Sequence, residues 1–227
     1  PDDITLMWAE DNFGYVRQVP TMAEKQREGG SGVYYHVSYY GSPNSYLWLD
    51  SMPLSTMYEE LQKLFDAGAK KYWILNVGDI KPAEISTEFF MDMAWDIDKI
   101  DDNNIREQVS EKAQRDFYAD QETAEETSDI HAEYLQIANA KRAENMGKEG
   151  TTSDVYSVIN NGDEGQKRIN ELNQLVNRAE EVYKKLPEIR KDAFYEMIYY
   201  GLRSTKNSLE MSVYSDKNDL YARQGRY

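Results

Sequence analysis

The chain has 227 residues, 26 Lys and Arg against 41 Asp and Glu, a formal net charge of -15, 40% hydrophobic residues and no cysteine. That length fits one large domain or two smaller ones, and 18 Tyr, 6 Phe and 4 Trp are too many aromatics for a disordered acidic polymer. The charge opposes binding to a nucleic-acid backbone, the lack of Cys removes disulfides, thiolate metal sites and Cys nucleophiles, and no apolar run nears the roughly 20 residues of a transmembrane helix.

The chain starts at Pro1 without Met or a signal-peptide pattern, and a strand-like run follows almost at once, so it reads as a piece of a longer protein. Ile4 to Ala9 is a short apolar run ending in Glu10-Asp11-Asn12 and Phe13-Gly14, the pattern of a covered strand entering a polar loop. After Pro20 and Gly29-Gly30-Ser31-Gly32, the β-branched and aromatic run Val33 to Tyr40 predicts a second strand, stopped by Gly41-Ser42-Pro43-Asn44. Thr56-Met57-Tyr58-Glu59 has capping-box spacing, and Met57, Leu61, Leu64 and Phe65 form a helical stripe closing at Gly68. Tyr72 to Val77 predicts the third strand, with Gly78-Asp79-Ile80-Lys81-Pro82 as its exit. Pro82 suits the first turn of the next helix, which carries Ile85, Phe89, Phe90 and Met93 toward Trp95.

Strands alternating with helices predict a parallel sheet, whose working residues sit in loops leaving the carboxyl ends of the strands. Three strands cannot close an eight-stranded barrel, so residues 1–95 would hold part of such a domain. Residues 96–227 read as an all-α region, a helical bundle. Ala124, Thr127, Ile130, His131, Tyr134 and Ile137 recur at helical spacing, as do Ile169, Leu172, Leu175, Val176, Ala179, Val182, Tyr183 and Leu186. Asn161-Gly162-Asp163 and Pro187 punctuate these runs, a third spans Ile189 to Val213, and Gly147 to Asp154 reads as a loop.

Glu10 and Asp11 follow the first strand, Asp79 follows the third, and Glu84 lies in the first turn of the next helix. If the strands neighbour one another in chain order, the first and third lie about 9–10 Å apart. That resembles the roughly 6.5–9.5 Å between the acid and base of an inverting glycosidase, which leaves room for a water. The alternative is that Asp79 and Glu84 cap a helix while Glu10 and Asp11 solvate a loop. His36 shares a strand face with Tyr34 and Ser38 and is open to three roles: acid, substrate hydrogen bonder or core histidine. His131 lies mid-helix, where a structural role is the plainer reading. Arg17 could clamp a substrate carboxylate or pair with a neighbouring acid. Tyr39, Tyr40, Tyr46, Trp48 and Trp95 offer flat faces for sugars or for packing. Two isolated His and no calcium loop leave no metal-site pattern, and the Gly29 to Gly32 run precedes a strand instead of following one, so it is not a phosphate loop.

Taken together, Trp8-Ala9-Glu10-Asp11-Asn12-Phe13-Gly14-Tyr15-Val16-Arg17, Gly32 to Gly41, Tyr46-Leu47-Trp48-Leu49, Asn76 to Glu84 and Phe90-Met91-Asp92-Met93-Ala94-Trp95 resemble the xylan α-1,2-glucuronidases of glycoside hydrolase family 115. The resemblance implies later β/α units of a catalytic (β/α)8 barrel of the TIM type, followed by a helical domain. It implies removal of α-1,2-linked glucuronic acid, or its 4-O-methyl ether, from glucuronoxylan or its oligosaccharides with inversion, and no metal or organic cofactor. For site residues it implies Asp11 as one catalytic carboxylate and Asp79 or Glu84 as the second. Arg17 and Lys81 would meet the uronate with Asn12, Asn76 and His36, and Tyr39, Tyr46 and Trp48 would line the sugar subsites. The isolated chain, lacking the rest of the barrel, is expected to be inactive.

Two other classes compete with this reading. One is a noncatalytic carbohydrate-binding or assembly module, and the other is a helical interaction module working through its acidic bundle. A periplasmic or extracellular location is expected from the substrate class alone, and the helical region is a candidate homodimer surface.

Overall fold

The computed structural model describes residues 1–42, 45–146 and 156–226. The expected loop from Gly147 to Asp154, and Pro43-Asn44 of the expected stop, lie outside the described residues. The chain divides into two compact units, Pro1–Val109 and Ser110–Tyr227.

The first unit is built on a parallel sheet of β1 (Leu6–Ala9), β2 (Ser31–His36) and β3 (Tyr72–Asn76), in that spatial order. Trp8 pairs with Val33 and Val33 with Trp73, so the three chains run in step and release their carboxyl ends on one side. His36 pairs with Asn76 at that end. The central strand is the most deeply covered, with Val33 and Tyr35 wholly buried, as expected where both faces are packed. Two helices supply the cover: α1 (Leu54–Asp66) buries Met57, Leu61 and Leu64, and α2 (Glu84–Trp95) buries Ile85, Phe89, Phe90 and Met93. Each such side chain taken from water is worth about 1.5–3 kcal/mol. Trp73 of β3 bridges them, its ring centroid 6.5 Å from that of Phe65 and 5.6 Å from that of Phe90.

Local signals misplace three boundaries. The helix expected to be capped at Thr56 begins at Leu54, with Pro53 in extended conformation as its N-cap and no side-chain cap; the Pro53 carbonyl accepts from Met57 N at 3.1 Å. Leu54 is buried, and packing that residue carries the helix start three residues upstream. The second strand, expected to reach Tyr40, leaves the ladder after His36. Val37 N still donates to Asn76 O at 3.1 Å, but β3 ends there, and Tyr39 turns to bridge Tyr46 in antiparallel sense. Pro82 lies before α2 and not in its first turn.

The second unit is helical among the described residues, and helix α3 (Ile105–Phe117) carries the boundary between the units. It contains α4 (Gln121–Ala140), α5 (Glu164–Lys185), the short α6 (Lys191–Phe194), a π turn over Tyr195–Tyr199 and α7 (Tyr200–Arg223). Asp120 and Asp163 cap α4 and α5 by accepting from Thr123 N at 2.8 Å and Gln166 N at 3.0 Å, each satisfying an otherwise orphaned amide. α5 packs on both α4 and α7, with Ile169, Leu172, Leu209, Val213 and Met146 forming one core cluster. Gly165 permits the α5–α7 approach, since a Cβ there would stand 2.9 Å from Val213 Cγ1. Arg178 of α5 forks to Glu126 at 2.7 Å and Glu133 at 2.8 Å on α4. No described helix is long and apolar enough to cross a membrane.

Candidate functional site

The carboxyl ends of the three strands gather the polar residues. Glu10 follows β1 directly, and its side chain is buried, although the sequence gives a loop carboxylate no reason to be. Its two oxygens are both engaged: Oε1 holds Nδ1 of His36 and Oε2 accepts from Gly14 N at 2.7 Å. Gly14, at φ +97°, lets the loop turn back over Glu10, and Tyr35 donates its hydroxyl to the Gly14 carbonyl at 3.1 Å. A carboxylate on Nδ1 fixes the imidazole ring and leaves Nε2 to exchange a proton or hydrogen bond with a ligand.

Aromatic rings flank His36, that of Tyr34 as the shared strand face predicted. Tyr34 and Tyr39 meet it edge to face at 4.9 and 5.6 Å, and Tyr39 lies 6.2 Å from Tyr46. Asn76, its partner across the sheet, donates to the Tyr34 hydroxyl at 2.8 Å, and the Tyr46 hydroxyl donates to the Asn12 carbonyl at 2.7 Å. Ser38 accepts from Gly78 N, tying the loop after β3 to the end of β2. Asn12, Tyr34, His36, Tyr39, Tyr46 and Asn76 thus form one connected group.

Asp11 points the other way. Its Oδ1 accepts from Phe13 N at 3.0 Å and Tyr15 N at 3.1 Å, and its Oδ2 lies 2.7 Å from Arg17 Nε and 2.6 Å from a terminal guanidinium nitrogen. Burial works to raise its pKa, but the Tyr15 amide, the Arg17 side chain and the Phe13 amide outweigh it and hold the carboxyl below the usual carboxylate range. Arg17 is spent on Asp11 in this arrangement, although its side chain is mostly exposed. Asp79 is exposed in the loop after β3, Lys81 is exposed 3.9 Å from Glu84, and Glu84 is half-buried with Oε2 enclosed and without a hydrogen-bond partner among the described residues. Trp48 stands 38% exposed beside the buried Leu49 and Asp50.

Two acidic residues of this unit escaped the sequence reading. Asp50 is enclosed and accepts from Ser86 Oγ at 2.5 Å and Met52 N at 3.2 Å; burial pushes its carboxyl up to about 6, with the Glu84 charge adding to the rise. Glu60, on the buried face of α1, accepts from Val16 N at 2.7 Å and pairs with Lys63 at 2.5 Å. Only the helical phase of Glu60, level with Met57, Leu61 and Leu64, could have marked it as inward-facing. His131 in α4 is buried, and desolvation lowers its imidazole to about 4. Among the described residues, no group of three or more His, Cys, Asp or Glu could hold a metal ion.

Parallel β/α sheets carry their working residues at the carboxyl ends of the strands, and the comparisons narrow the class. The glycosyl hydrolase family 115 model matches residues 1–145, and the chain belongs to that family. A solved family 115 4-O-methyl-α-glucuronidase, described as having specificity for decorated arabinogalactans, is similar at 35% sequence identity with a TM-score of 0.85. The match covers 94% of this chain and 29% of that one, so the chain spans well under half of its structural relative. No match was found among curated proteins.

Proposed function

We propose that the protein containing this chain is an α-glucuronidase that removes α-linked glucuronic acid, or its 4-O-methyl ether, from a polysaccharide. Family membership over residues 1–145, together with the Glu10-held His36 at the strand ends, is the observation that carries this reading. The strands are the later strands of a (β/α)8 barrel and the second unit is the helical bundle that follows it, a candidate surface for self-association.

In this proposal His36, Asn76, Tyr34 and Tyr39 contact the sugar, and Glu10 is a positioning residue acting through His36. Asp11 is the candidate base that activates water, a role that requires Arg17 to release its Oδ2. The proton donor then comes from Asp79, Glu84 or a barrel strand outside this chain, and inversion follows from a water placed between the two groups. Arg17 would have to leave Asp11 to meet a uronate, whereas Lys81, as exposed as Arg17, stands 3.9 Å from Glu84. Glucuronoxylan is the first substrate; a glucuronate-decorated arabinogalactan is the second, favoured by what the solved relative is described as attacking. Both polymers are extracellular, which fits a periplasmic or secreted enzyme.

The test is uronic acid release from both polymers by the complete protein, with the anomer followed by proton NMR, for wild type, Glu10→Gln and Asp11→Asn. Wild type is expected to yield the β-anomer first. Asp11→Asn should lose on the order of 100-fold or more, the usual worth of a positioned acid or base, and Glu10→Gln should lose less while shifting the pH profile. A folded wild type that leaves uronate on both polymers ends the proposal.

A further inference from the structure

Backbone amides that leave a strand and enter a loop need acceptors, and the loop after β1 finds them in carboxylates at four consecutive positions. Phe13 N and Tyr15 N donate to Asp11 Oδ1 at 3.0 and 3.1 Å, Gly14 N donates to Glu10 at 2.7 Å, and Val16 N donates to Glu60 of α1 at 2.7 Å. Odd and even residues of this segment serve different partners. Residues 13, 15 and 17 surround Asp11: two give amides to Oδ1, Arg17 forks onto Oδ2, and the Tyr15 carbonyl accepts from Asp11 N at 2.9 Å. Residues 14 and 16 are gripped by the body of the unit. Tyr35 of β2, wholly buried, donates to the Gly14 carbonyl at 3.1 Å. Helix α1 takes hold of both polar groups of Val16, since Glu60 accepts from its amide and Lys63 Nζ donates to its carbonyl at 3.4 Å. Glu60 and Lys63 are themselves paired at 2.5 Å, with the Glu60 side chain buried. The support is firm, because Met57, Leu61 and Leu64 of the same helix are wholly buried.

We propose that Glu60 is a positioning residue of the strand-end site, fixing Val16 from α1 and so setting Tyr15 and Arg17 around the Asp11 carboxylate. The inference deepens the proposed function and rests on Asp11 as its base. Val16 stands between Tyr15 and Arg17 in the chain, so its displacement moves the Tyr15 amide and the root of the Arg17 side chain together. Those are groups that hold Asp11 ionised. A misplacement of about 1 Å at a reacting group costs on the order of 100-fold in rate. The charges around the loop are Arg17 on Asp11, His36 on Glu10 and Lys63 on Glu60. Removing the Glu60 charge by itself favours an ionised Asp11 and lowers its titration, whereas slackening of the Tyr15 and Arg17 contacts raises it. The two effects have opposite sign, so an upward shift reports position and not charge.

The experiment follows kcat and kcat/KM against pH for the complete protein on a short glucuronate-bearing oligosaccharide, with crystal structures of wild type and variants. Glu60→Ala should lose on the order of 100-fold in kcat with KM little changed, and the acidic limb of kcat/KM, where the base is protonated, should move to higher pH. Glu60→Gln keeps an acceptor for Val16 N and should restore most of the rate and the wild-type limb. Glu60→Asp keeps the charge but draws the carboxylate back by one methylene, and it should move the limb in the same upward direction. Leu64→Ala, a cavity on the same helix, should lower stability and leave the limb in place. A wild-type limb in Glu60→Ala, or in Glu60→Asp where the alanine variant does not fold, overturns the inference. So does a Glu60→Gln no better than Glu60→Ala, or an equal limb shift in Leu64→Ala. A wild type that releases no uronate ends the proposed function, and the crystal structures then decide: Arg17 still on Asp11 in Glu60→Ala overturns the inference, and a displaced Arg17 keeps it.

Discussion

Replacing Asp50 by Asn tests the electrostatics of the first unit most directly. Asp50 is 6% exposed and braces the start of α2 through Ser86. Its carboxyl is raised from 3.8 to about 6, chiefly by burial, so the folded state holds a proton that the unfolded chain releases. Stability from this group is therefore fully present below about pH 4 and is lost as pH rises through about 6. The separation of those values corresponds to about 3 kcal/mol, the cost of ionising Asp50 inside the fold. Asn keeps an acceptor for the Met52 amide and puts an NH2, which donates, opposite Ser86 Oγ, so that hydrogen bond reverses direction, and it cannot ionise. All four tryptophans, Trp8, Trp48, Trp73 and Trp95, lie in Pro1–Val109, so indole fluorescence during urea unfolding reads this unit alone. Near pH 4 the variant should match wild type within about 1 kcal/mol, and at pH 7 it should exceed wild type by about 3 kcal/mol. A difference between the two proteins that does not move between these pH values would refute the reasoning.

His131 predicts the opposite slope in the second unit. Its folded value near 4 lies below the ordinary 6.5, so stability is full above about pH 6.5 and is lost as pH falls toward 4; His131→Gln should flatten that loss, read by far-ultraviolet circular dichroism of the helices. Gly14→Ala should destabilise the first unit by about 2 kcal/mol or more, because φ is +97° and the new Cβ would meet Met52 Sδ at 2.7 Å. An unshifted urea midpoint would contradict that contact. Glu60→Ala should cost about 2 kcal/mol by stranding the buried Val16 amide, while Glu60→Gln, which can still accept, should cost clearly less. Equal losses in the two Glu60 variants would assign the effect to packing.

The element order was legible because each segment announces itself locally. The apolar run before Glu10, the β-branched and aromatic run from Val33, and the stripe Met57-Leu61-Leu64 carry periods that need no knowledge of the partner. The parallel order followed from alternation of strands and helices, and the clustered motifs up to Trp95 carried the family. Boundaries were less legible wherever a distant partner sets them: β2 stops because β3 stops at Asn76, and α1 begins at Leu54 because that side chain is buried.

The site divides the same way. Sequence alone placed Asp11 at a strand exit and His36, Tyr39 and Asn76 within strands, and it put His36 on the Tyr34 face through the two-residue period of a strand. Tertiary structure decided that Glu10 turns inward to hold His36 while Asp11, its neighbour, turns outward to Arg17. It also enclosed Asp50 and Glu60. Whether a carboxylate faces solvent or core depends on groups far away in the chain, such as Ser86 for Asp50 in its loop and Val16 for Glu60 in α1. No local pattern encodes the low-dielectric surroundings that those distant groups create.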